Sequence, residues 1–272
     1  MRIALVHVTW PEQISGRSWQ AMPATFRAAG FAGRLAAAGH DVDETVLEGK
    51  PTLKGAFVLA GEVAAAIQRA RAAATLPVVV CGSCTIAAIG AVAALGPEAG
   101  IVWMDAHPDL NTPETTRSGL FEGMALAAAT GHCWRAMAAE HSGLRPPPAS
   151  NVVLFGARDI DPPEADLMAR SNIAIAGSGH AIVDHVANRP SVYVHLDMDV
   201  HDALRFRANA FAVPGGPSTE DVGSALTAVA RNAPVGALAF TGLEPGAADG
   251  ATGIEIATAH ALALAAAIEA GT

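Results

Sequence analysis

The sequence is poor in charged and aromatic side chains. Only 16% of its 272 residues are charged and 5% are aromatic, whereas 51% are hydrophobic. This composition excludes a disordered chain, because enough apolar side chains are present to bury a large core. Basic residues are especially scarce: the net charge is −9, and no run of Lys or Arg forms a positive stripe. A nucleic-acid partner is therefore not expected.

Long apolar runs and cysteines are also scarce. No apolar run approaches the ~20 residues that a membrane span needs, so no membrane partner is expected. The first segment, MRIALVHVTW, lacks the apolar core and cleavage site of a secretory signal and is typical of a first strand. Three cysteines, Cys81, Cys84 and Cys133, are too few for a disulfide framework. These absences favour a cytoplasmic protein with free thiols.

Short apolar runs alternate with longer Ala-rich segments along the chain. Most of the short runs are rich in Val and Ile, which is typical of strands buried on both faces of a parallel sheet. The predicted strands are Ile3–Val8, Val42–Leu47, Val78–Cys81, Ile101–Asp105, Val152–Phe155, Ile173–Ala176, Val192–Asp197 and Gly236–Phe240. The predicted helices include Val63–Ala74, Thr85–Ala94, Met124–Ala129, Glu220–Asn232 and Gly253–Ala270. The pattern predicts one three-layer α/β domain over residues 1–272 with an eight-stranded parallel sheet.

Polar side chains follow two predicted strands, at the sheet edge where ligands bind in such folds. Asp105, His107 and Asp109 take alternate positions after the fourth strand, and Asp197 and Asp199 repeat this spacing after the seventh. In extended chain, alternate side chains leave the same face. Four carboxylates and an imidazole in one crevice need a cation among them, and they suit one or two divalent ions such as Mn²⁺. Either motif alone would more often indicate a turn or a helix cap than a metal ligand.

The segment VVVCGSCTIAAIG contains a C-x-x-C pattern formed by Cys81 and Cys84. Such a pair is typical of a thiol oxidoreductase. Nothing else around it is typical of a thioredoxin-like unit, and one of the two cysteines could instead bind a metal. The spacing alone leaves both explanations open.

Four segments resemble the arginase/agmatinase (ureohydrolase) family, in the family's order over most of the chain. WMDAHPDLNTPETTRSG resembles its D-A-H-x-D motif, HLDMDVHD its S-x-D-x-D motif, FGARDIDPPE its R-D-x-D-P-x-E segment, and LAFTGLEPGA its late G-L-D-x-x-E-x-N-P region. The resemblance implies a three-layer arginase-like fold and a site for two Mn²⁺ ions. It also implies that a hydroxide between the ions attacks the carbon of a guanidino group.

The resemblance implies metal ligands as well. Where the family has G-G-D-H-S with a metal-binding His, this chain has C-G-S-C-T, so Cys84 takes the ligand position and Cys81 that of a glycine. The implied ligands of one metal are Cys84, Asp105, Asp109 and Asp197, and those of the other are His107, Asp105, Asp197 and Asp199. Sulfur is a softer ligand than imidazole, which makes Zn²⁺ or Fe²⁺ an alternative to Mn²⁺. Asp109 is also expected to orient the hydroxide.

The implied substrate is a guanidino amino acid. Asn111 and Ser118 match family positions that contact the α-carboxylate, and Asp161 matches one that faces the α-amino group. Glu244 matches the Glu that pairs with the guanidinium, and Ser218 is placed at a family Thr near it. Leu120 replaces one further carboxylate contact, so this set is incomplete.

A second departure concerns the proton supplied to the leaving amine. The family's S-G-N-x-H-G reads S-G-L-F-E-G here, so Glu122 replaces the His that shuttles this proton. An N-hydroxyguanidine is less basic and needs the shuttle less. Together with Cys84, this change resembles the family members that convert Nω-hydroxy-L-arginine to L-ornithine and hydroxyurea in antibiotic biosynthesis. The alternatives are an ordinary arginase or other guanidino-acid amidinohydrolase, a non-catalytic relative and a thiol oxidoreductase.

Three further expectations concern the surroundings of the site. His195, two residues before Asp197, has the spacing to point into the site behind the ligands. The segment Val8–Phe31, with Trp10 and Trp19, could cover the site. The last predicted helix ends close to Thr272, which weakly favours a monomer.

Overall fold

A computed structural model describes residues 1–11, 18–247 and 249–271. Its sheet contains β1 (Arg2–Thr9), β2 (Asp41–Glu48), β3 (Leu76–Cys81), β4 (Gly100–Met104), β5 (Val152–Phe155), β6 (Ala174–Ala176), β7 (Val192–Asp197) and β8 (Val235–Thr241). All neighbours are parallel, in the order β2-β1-β3-β8-β7-β4-β5-β6. Every predicted strand is therefore confirmed.

The helices are α1 (Met22–Ala28), α2 (Phe31–Ala37), α3 (Leu53–Ala72), α4 (Cys84–Leu95), α5 (Ala125–Ala129), α6 (Arg135–Ser142), α7 (Pro162–Ser171), α8 (Gly179–Val186), α9 (Thr219–Asn232) and α10 (Gly250–Gly271). The start of α3 was predicted too late. Thr52 caps it by accepting a hydrogen bond from the Gly55 amide. The glycines in its first turns obscured the helical pattern. Gly61 is required there because a Cβ would lie 2.4 Å from the His141 carbonyl oxygen on α6.

Strand residues divide alternately between two apolar cores. Val79 and Trp103 point to the side covered by α3, α4 and α5. Val80 and Phe240 point to the other side, which α1, α2, α8, α9 and α10 cover. This alternation produces the predicted three layers. The four central strands β3, β8, β7 and β4 are almost completely buried, and the residues at their carboxyl ends form the candidate site.

Helix α10 is long and apolar. By length and composition it is the one helix in the described part of the chain that could cross a membrane, so the statement that no apolar run has this length was wrong. Half of its most apolar stretch is buried in the protein. It packs mainly against α9, as a core helix does.

A buried histidine pair joins α10 to the turn after β7. The Nε2 atoms of His201 and His260 are 3.0 Å apart and the ring planes differ by 4°. His201 Nδ1 lies 3.0 Å from the Met198 carbonyl oxygen and donates to it, so in a neutral pair His260 donates to His201. Burial lowers the pKa of both rings, that of His260 to about 3. Both rings are therefore neutral in the folded protein.

We expect this pair to reduce stability in acid. The unfolded chain binds protons near pH 6.5, whereas folded His260 does not, so the free energy of unfolding falls as the pH falls through 6.5 towards 3. Between pH 7 and pH 5 the variant His260→Gln, which keeps a donor for His201 but does not titrate, should lose about 2 kcal/mol less than the wild type. Urea unfolding at each pH measures the difference. Equal losses in the two proteins would contradict this expectation.

Candidate metal centre

The turn after β4 brings its polar side chains into one cavity through a bent backbone, where extended chain was predicted. The chain is bent from Asp105 onward, and the His107 amide donates to Asp105 Oδ1 at 2.7 Å. Asp109 has a left-handed backbone, with φ +52°. The inference from extended geometry was therefore wrong, although the three side chains do line the same cavity.

The end of β7 supplies two more carboxylates. Asp197 is the last strand residue and Asp199 lies in a short 3₁₀ helix, where its amide donates to Asp197 Oδ1 at 2.9 Å. Asn209 donates from Nδ2 to Asp199 Oδ2 at 3.1 Å and to the Gly242 carbonyl at 2.8 Å. The amide of Asn209 therefore ties the carboxylate of Asp199 to the loop after β8.

Cys84 begins α4 and faces these carboxylates. Its thiol donates to Asp197 Oδ2 at 3.3 Å. Cys81 is the last residue of β3 and lies within the core, and its sulfur accepts from the Ser83 amide at 3.4 Å. Only one cysteine of the C-x-x-C pattern thus reaches the cavity.

Two groups of potential ligand atoms lie around this cavity in the described structure. Within each group the atoms are all within 4.8 Å of one another; the groups are Cys84, His195 and Asp197, and Asp105, His107 and Asp199. Asp109 lines the same cavity but belongs to neither group. The second group matches three of the four ligands predicted for the second metal. The first group contains two of the ligands predicted for the first metal, and adds His195.

The electrostatics of these groups fit a cation. Burial and the charge of Asp199 raise the pKa of Asp105 to about 7. Burial and the neighbouring carboxylates also raise the pKa of Asp109, of Asp197 and of the Cys84 thiol well above their usual ranges. Burial lowers the pKa of His107, but hydrogen bonds to Asp105 and Asp199 outweigh this effect and raise the pKa to about 12. The ionised forms of these carboxyl and thiol groups are therefore unfavourable beside one another unless positive charge lies among them.

Gly242 provides room for one of these carboxylates. It follows β8 with φ +70°, and a Cβ at this position would lie 2.0 Å from Asp197 Oδ1 and 2.1 Å from Oδ2. The backbone therefore contacts the carboxylate directly, and no other residue type fits. The donor set, its charge and this close approach together fit a site for divalent metal.

The cavity, of about 230 Å³, contains most of the predicted site residues. Those that line it are Cys84, Asp105, His107, Asp109, Asn111, Ser118, Glu122, Asp161, Asp197 and Asp199. Two predicted residues do not line it. Glu244 accepts a hydrogen bond from the Ala210 amide at 3.0 Å, and Ser218 caps α9 by accepting from the Asp221 amide at 3.1 Å. Their substrate contacts stay predictions that this arrangement does not support.

Glu122 is held at the start of α4. Its Oε2 accepts from the Ser83 hydroxyl at 2.9 Å and from the Thr85 amide at 3.1 Å. The Thr85 hydroxyl in turn donates to the Phe121 carbonyl at 2.7 Å. The carboxylate is thus fixed against the turn that carries Cys84.

Three residues important to the site were not predicted from the sequence. Arg158 donates to the carbonyl oxygens of Asp199, Val200 and His201, which clamps the turn after β7. Buried Glu164 accepts from the amides of Leu110 and Asp161 at 2.9 Å each. Both belong to FGARDIDPPE, whose resemblance to the family motif could have indicated their importance. Asn209 lies outside every motif.

Part of the segment predicted to cover the site does so. Trp19 lines the cavity beside Phe211, with ring centroids 6.0 Å apart. Trp19 belongs to a short 3₁₀ helix, Ser18–Ala21. This helix lies on the turn before α4, since a Cβ on Gly82 would be 2.6 Å from the Trp19 carbonyl oxygen. Trp10 instead packs against Phe121 in the core, at 5.5 Å between ring centroids. Residues 12–17 of this predicted cover lie outside the described residues.

Comparison with known proteins agrees with this geometry. A model of the Arginase family matches residues 36–266. The N(omega)-hydroxy-L-arginine amidinohydrolase of Streptomyces lavendulae is 31% identical over 209 residues, which are 73% of this chain and 74% of that protein. The arginase of Staphylococcus aureus strain COL is 32% identical over 181 residues, 61% of this chain and 58% of that protein. The structure of arginase from Bacillus cereus has a TM-score of 0.85 at 23% identity and covers 97% of this chain and 98% of its own.

The fold and the site define a hydrolase with a three-layer α/β fold and a candidate metal site at the carboxyl ends of its central strands. Family members are hydrolases that act on guanidino C–N bonds. The chain belongs to the arginase family, as the match over residues 36–266 shows.

The thiol-oxidoreductase alternative does not fit the site. A redox cysteine is accessible and has a lowered pKa. Cys81 is fully buried, and burial raises the pKa of its thiol well above the usual range. The C-x-x-C spacing is thus better explained by one core residue and one residue of the metal centre.

Proposed function

We propose that the protein hydrolyses Nω-hydroxy-L-arginine to L-ornithine and hydroxyurea. The observation that carries this proposal is the joint position of Cys84 and Glu122. Both line the cavity, at positions where the family has a ligand His and a proton-shuttling His, and the Ser83–Thr85 turn connects them. The similarity to the Streptomyces lavendulae enzyme named for this reaction supports the proposal.

Glu122 affects the fate of one proton in this reaction. Water adds to the guanidino carbon, the bond from that carbon to the side-chain nitrogen Nε breaks, and this nitrogen must gain a proton to leave as the amine of ornithine. A histidine can deliver that proton, whereas the Glu122 carboxylate accepts hydrogen bonds from Ser83 and Thr85. A hydroxyguanidine is less basic than a guanidine, so its neutral form is easier to attack.

We propose that the six predicted ligands hold two Mn²⁺ ions, with Zn²⁺ or Fe²⁺ as the alternative because Cys84 supplies sulfur. When bound, such ions supply Lewis-acid chemistry and lower the pKa of water. The carboxylate of Asp109, buried in the cavity, orients the attacking water. Metal analysis of the purified protein by mass spectrometry, after growth with equal amounts of the three metals, identifies the ion.

The far end of the cavity suits an amino acid. Asn111 Nδ2 donates to Asp161 Oδ2 at 3.1 Å, so the two residues predicted for the carboxylate and amino ends lie side by side. Ser118 lies exposed near the mouth, and Leu120 adds an apolar contact. We propose that Asp161 pairs with the α-ammonium group and that Asn111 and Ser118 contact the α-carboxylate.

The experiment that tests this function measures ornithine released from L-arginine and from Nω-hydroxy-L-arginine by metal-loaded protein. Asp109→Asn is the control for contaminating activity. A large preference for the hydroxylated substrate, with hydroxyurea as the second product, is expected. A preference for L-arginine would instead establish an ordinary arginase, the second candidate, which the similarity to the Staphylococcus aureus enzyme favours. No turnover of either substrate would indicate a non-catalytic relative.

Returning a histidine to position 122 should change the preference. In Glu122→His we expect the kcat ratio of L-arginine to Nω-hydroxy-L-arginine to rise at least about tenfold, because general acid catalysis contributes 10²- to 10⁴-fold. Glu122→Gln is the matched control, since an amide oxygen still accepts from Ser83 and Thr85. Steady-state kinetics on both substrates checks this. The same ratio in both variants would show that position 122 does not control proton delivery.

We further propose that residues 1–272 form one arginase-like domain that acts in the cytoplasm, as a monomer, on a small guanidino amino acid. The scarcity of cysteine and basic residues supports the cytoplasmic location and the lack of a nucleic-acid partner. Light scattering after gel filtration at several concentrations tests the monomer. A mass that rises with concentration would overturn it.

A further inference from the structure

A line of buried hydrogen-bonding side chains lies behind Asp197. Tyr193, His195 and Asp197 take alternate positions on β7, so they leave the same face of the strand. Thr241 on β8 is the cross-strand neighbour of Asp197, and Trp103 on β4 is that of His195. Tyr193, His195, Thr241 and Trp103 are fully buried. Solvent therefore does not compete for their hydrogen bonds.

The hydrogen bonds along this line have one direction. Thr241 Oγ1 donates to Asp197 Oδ2 at 3.2 Å. A hydroxyl has a single hydrogen, so its contact of 3.1 Å with His195 Nε2 requires that nitrogen to donate. Nδ1 of a neutral ring then has a lone pair, which accepts from the Tyr193 hydroxyl at 2.8 Å. Each residue thus donates to the next, and the last acceptor is the carboxylate.

This arrangement fixes the carboxylate at both oxygens. The His195 ring stacks on Trp103 with centroids 3.6 Å apart and planes 2° apart, and both of its nitrogens are occupied. Asp197 Oδ2 therefore has a fixed donor in Thr241, while Oδ1 accepts from the Asp199 amide. Neither the ring nor the carboxylate can rotate without breaking a buried hydrogen bond, which is costly.

The hydrogen-bonded line also bears on the repulsion between Cys84 and Asp197. Where the family has a neutral imidazole as ligand, a bound Cys84 would be a thiolate, and its sulfur lies 3.3 Å from Asp197 Oδ2. Thr241 donates to that same oxygen. The family's S-x-D-x-D has Ser where this chain has His195. The chain therefore has a thiol at the ligand position and an imidazole behind Asp197.

We propose that Tyr193, His195 and Thr241 are positioning residues, which orient Asp197 for metal binding and offset its repulsion from the Cys84 thiolate. His195 lies close enough to Cys84 and Asp197 to be a ligand, but both ring nitrogens already serve the hydrogen-bonded line. It acts through Thr241 instead. This inference rests on the metal centre of the proposed function and does not depend on which guanidine is the substrate.

The test compares metal affinity in Thr241→Val, which removes the hydroxyl at equal shape, and in Thr241→Ser, which keeps it. Equilibrium dialysis of the full chain against Mn²⁺, with metal counted by mass spectrometry, is the measurement. We expect Thr241→Val to bind one of two ions about 10- to 100-fold more weakly, the range for partners that orient a ligand. Thr241→Ser should match the wild type, and Tyr193→Phe should show a smaller loss.

Two results would overturn the proposal. One is wild-type affinity in Thr241→Val. The other is loss of one ion in His195→Gln while Thr241→Val keeps both, since His195 would then be a ligand. Thermal unfolding confirms that each variant folds, and if Thr241→Val does not, wild-type affinity in Tyr193→Phe counts against the proposal. If metal affinity responds as expected but neither guanidine is hydrolysed, the proposed function fails and this inference stands.

Discussion

Gly242→Ala should abolish metal binding and activity while leaving a folded protein. A Cβ at position 242 would lie 2.0 Å from Asp197 Oδ1, so the carboxylate must leave its place. Its hydrogen bonds to Thr241 and to the Asp199 amide would break with it. Because Asp197 is a predicted ligand of both metals, we expect both to be lost and activity to fall by more than about 100-fold, as when the geometry around a ligand is disturbed.

Gly30→Ala is a matched control. Gly30 has the same φ of +70°, but a Cβ there would meet nothing within 4 Å. Both variants therefore place alanine in the left-handed region, at a cost of about 1 kcal/mol in the free energy of unfolding. Only Gly242→Ala should lose metal, measured by dialysis and mass spectrometry. Equal metal content in the two variants would show that metal binding does not depend on the position of the Asp197 carboxylate.

Cys84→Ser should strongly weaken the binding of one metal ion and reduce turnover by about 100-fold or more. A serine hydroxyl does not ionise near neutral pH, so the variant cannot supply the anionic ligand that a metal-bound thiol becomes. With Co²⁺ in place of the natural ion, a Cys84 thiolate ligand should give a sulfur-to-cobalt charge-transfer absorption in the near ultraviolet. This absorption should be missing in Cys84→Ser and in Cys84→His, whereas Cys84→His should recover metal binding.

Cys133→Ser and Cys81→Ala are the controls for this experiment. Cys133 is buried away from the cavity and Cys81 lies in the core, so both variants should keep the absorption and the metal. Unchanged metal content and an unchanged cobalt spectrum in Cys84→Ser would refute its role as a ligand. Loss of a thiol-dependent redox activity in both Cys81→Ala and Cys84→Ser would restore the oxidoreductase explanation.

The sheet was predictable because its central strands are buried on both faces. Val78–Cys81 and Val192–Asp197 are apolar, β-branched segments bounded by polar turns, and the structure starts β3 only two residues earlier, at Leu76. Helix starts were less predictable. Thr52 caps α3 ahead of Gly55 and Gly61, two residues that disfavour helix in isolation but are required there by close packing.

The site residues that belong to a sequence motif were predictable, and those that act through tertiary contacts were not. Asp105 and His107 are brought into the cavity by a bend that no alternation rule describes. Thr241 and Asn209 belong to no recognisable motif, because their hydrogen-bond partners are distant in the sequence. Thr241 donates to Asp197, and Asn209 donates to the Gly242 carbonyl. Ser218, predicted near the substrate, caps α9, since a Ser three residues before an acidic residue at a helix start forms a capping box.

The strand order has a consequence for how the enzyme matures. β8 lies between β3 and β7, so Cys84 and Asp197 come together only after the strand at Val235–Thr241 has been inserted between their own strands. A nascent chain that lacks these residues has β3 and β7 but no closed centre. We therefore expect metal to be captured late in folding, once residues 235–241 have been synthesised and inserted into the sheet.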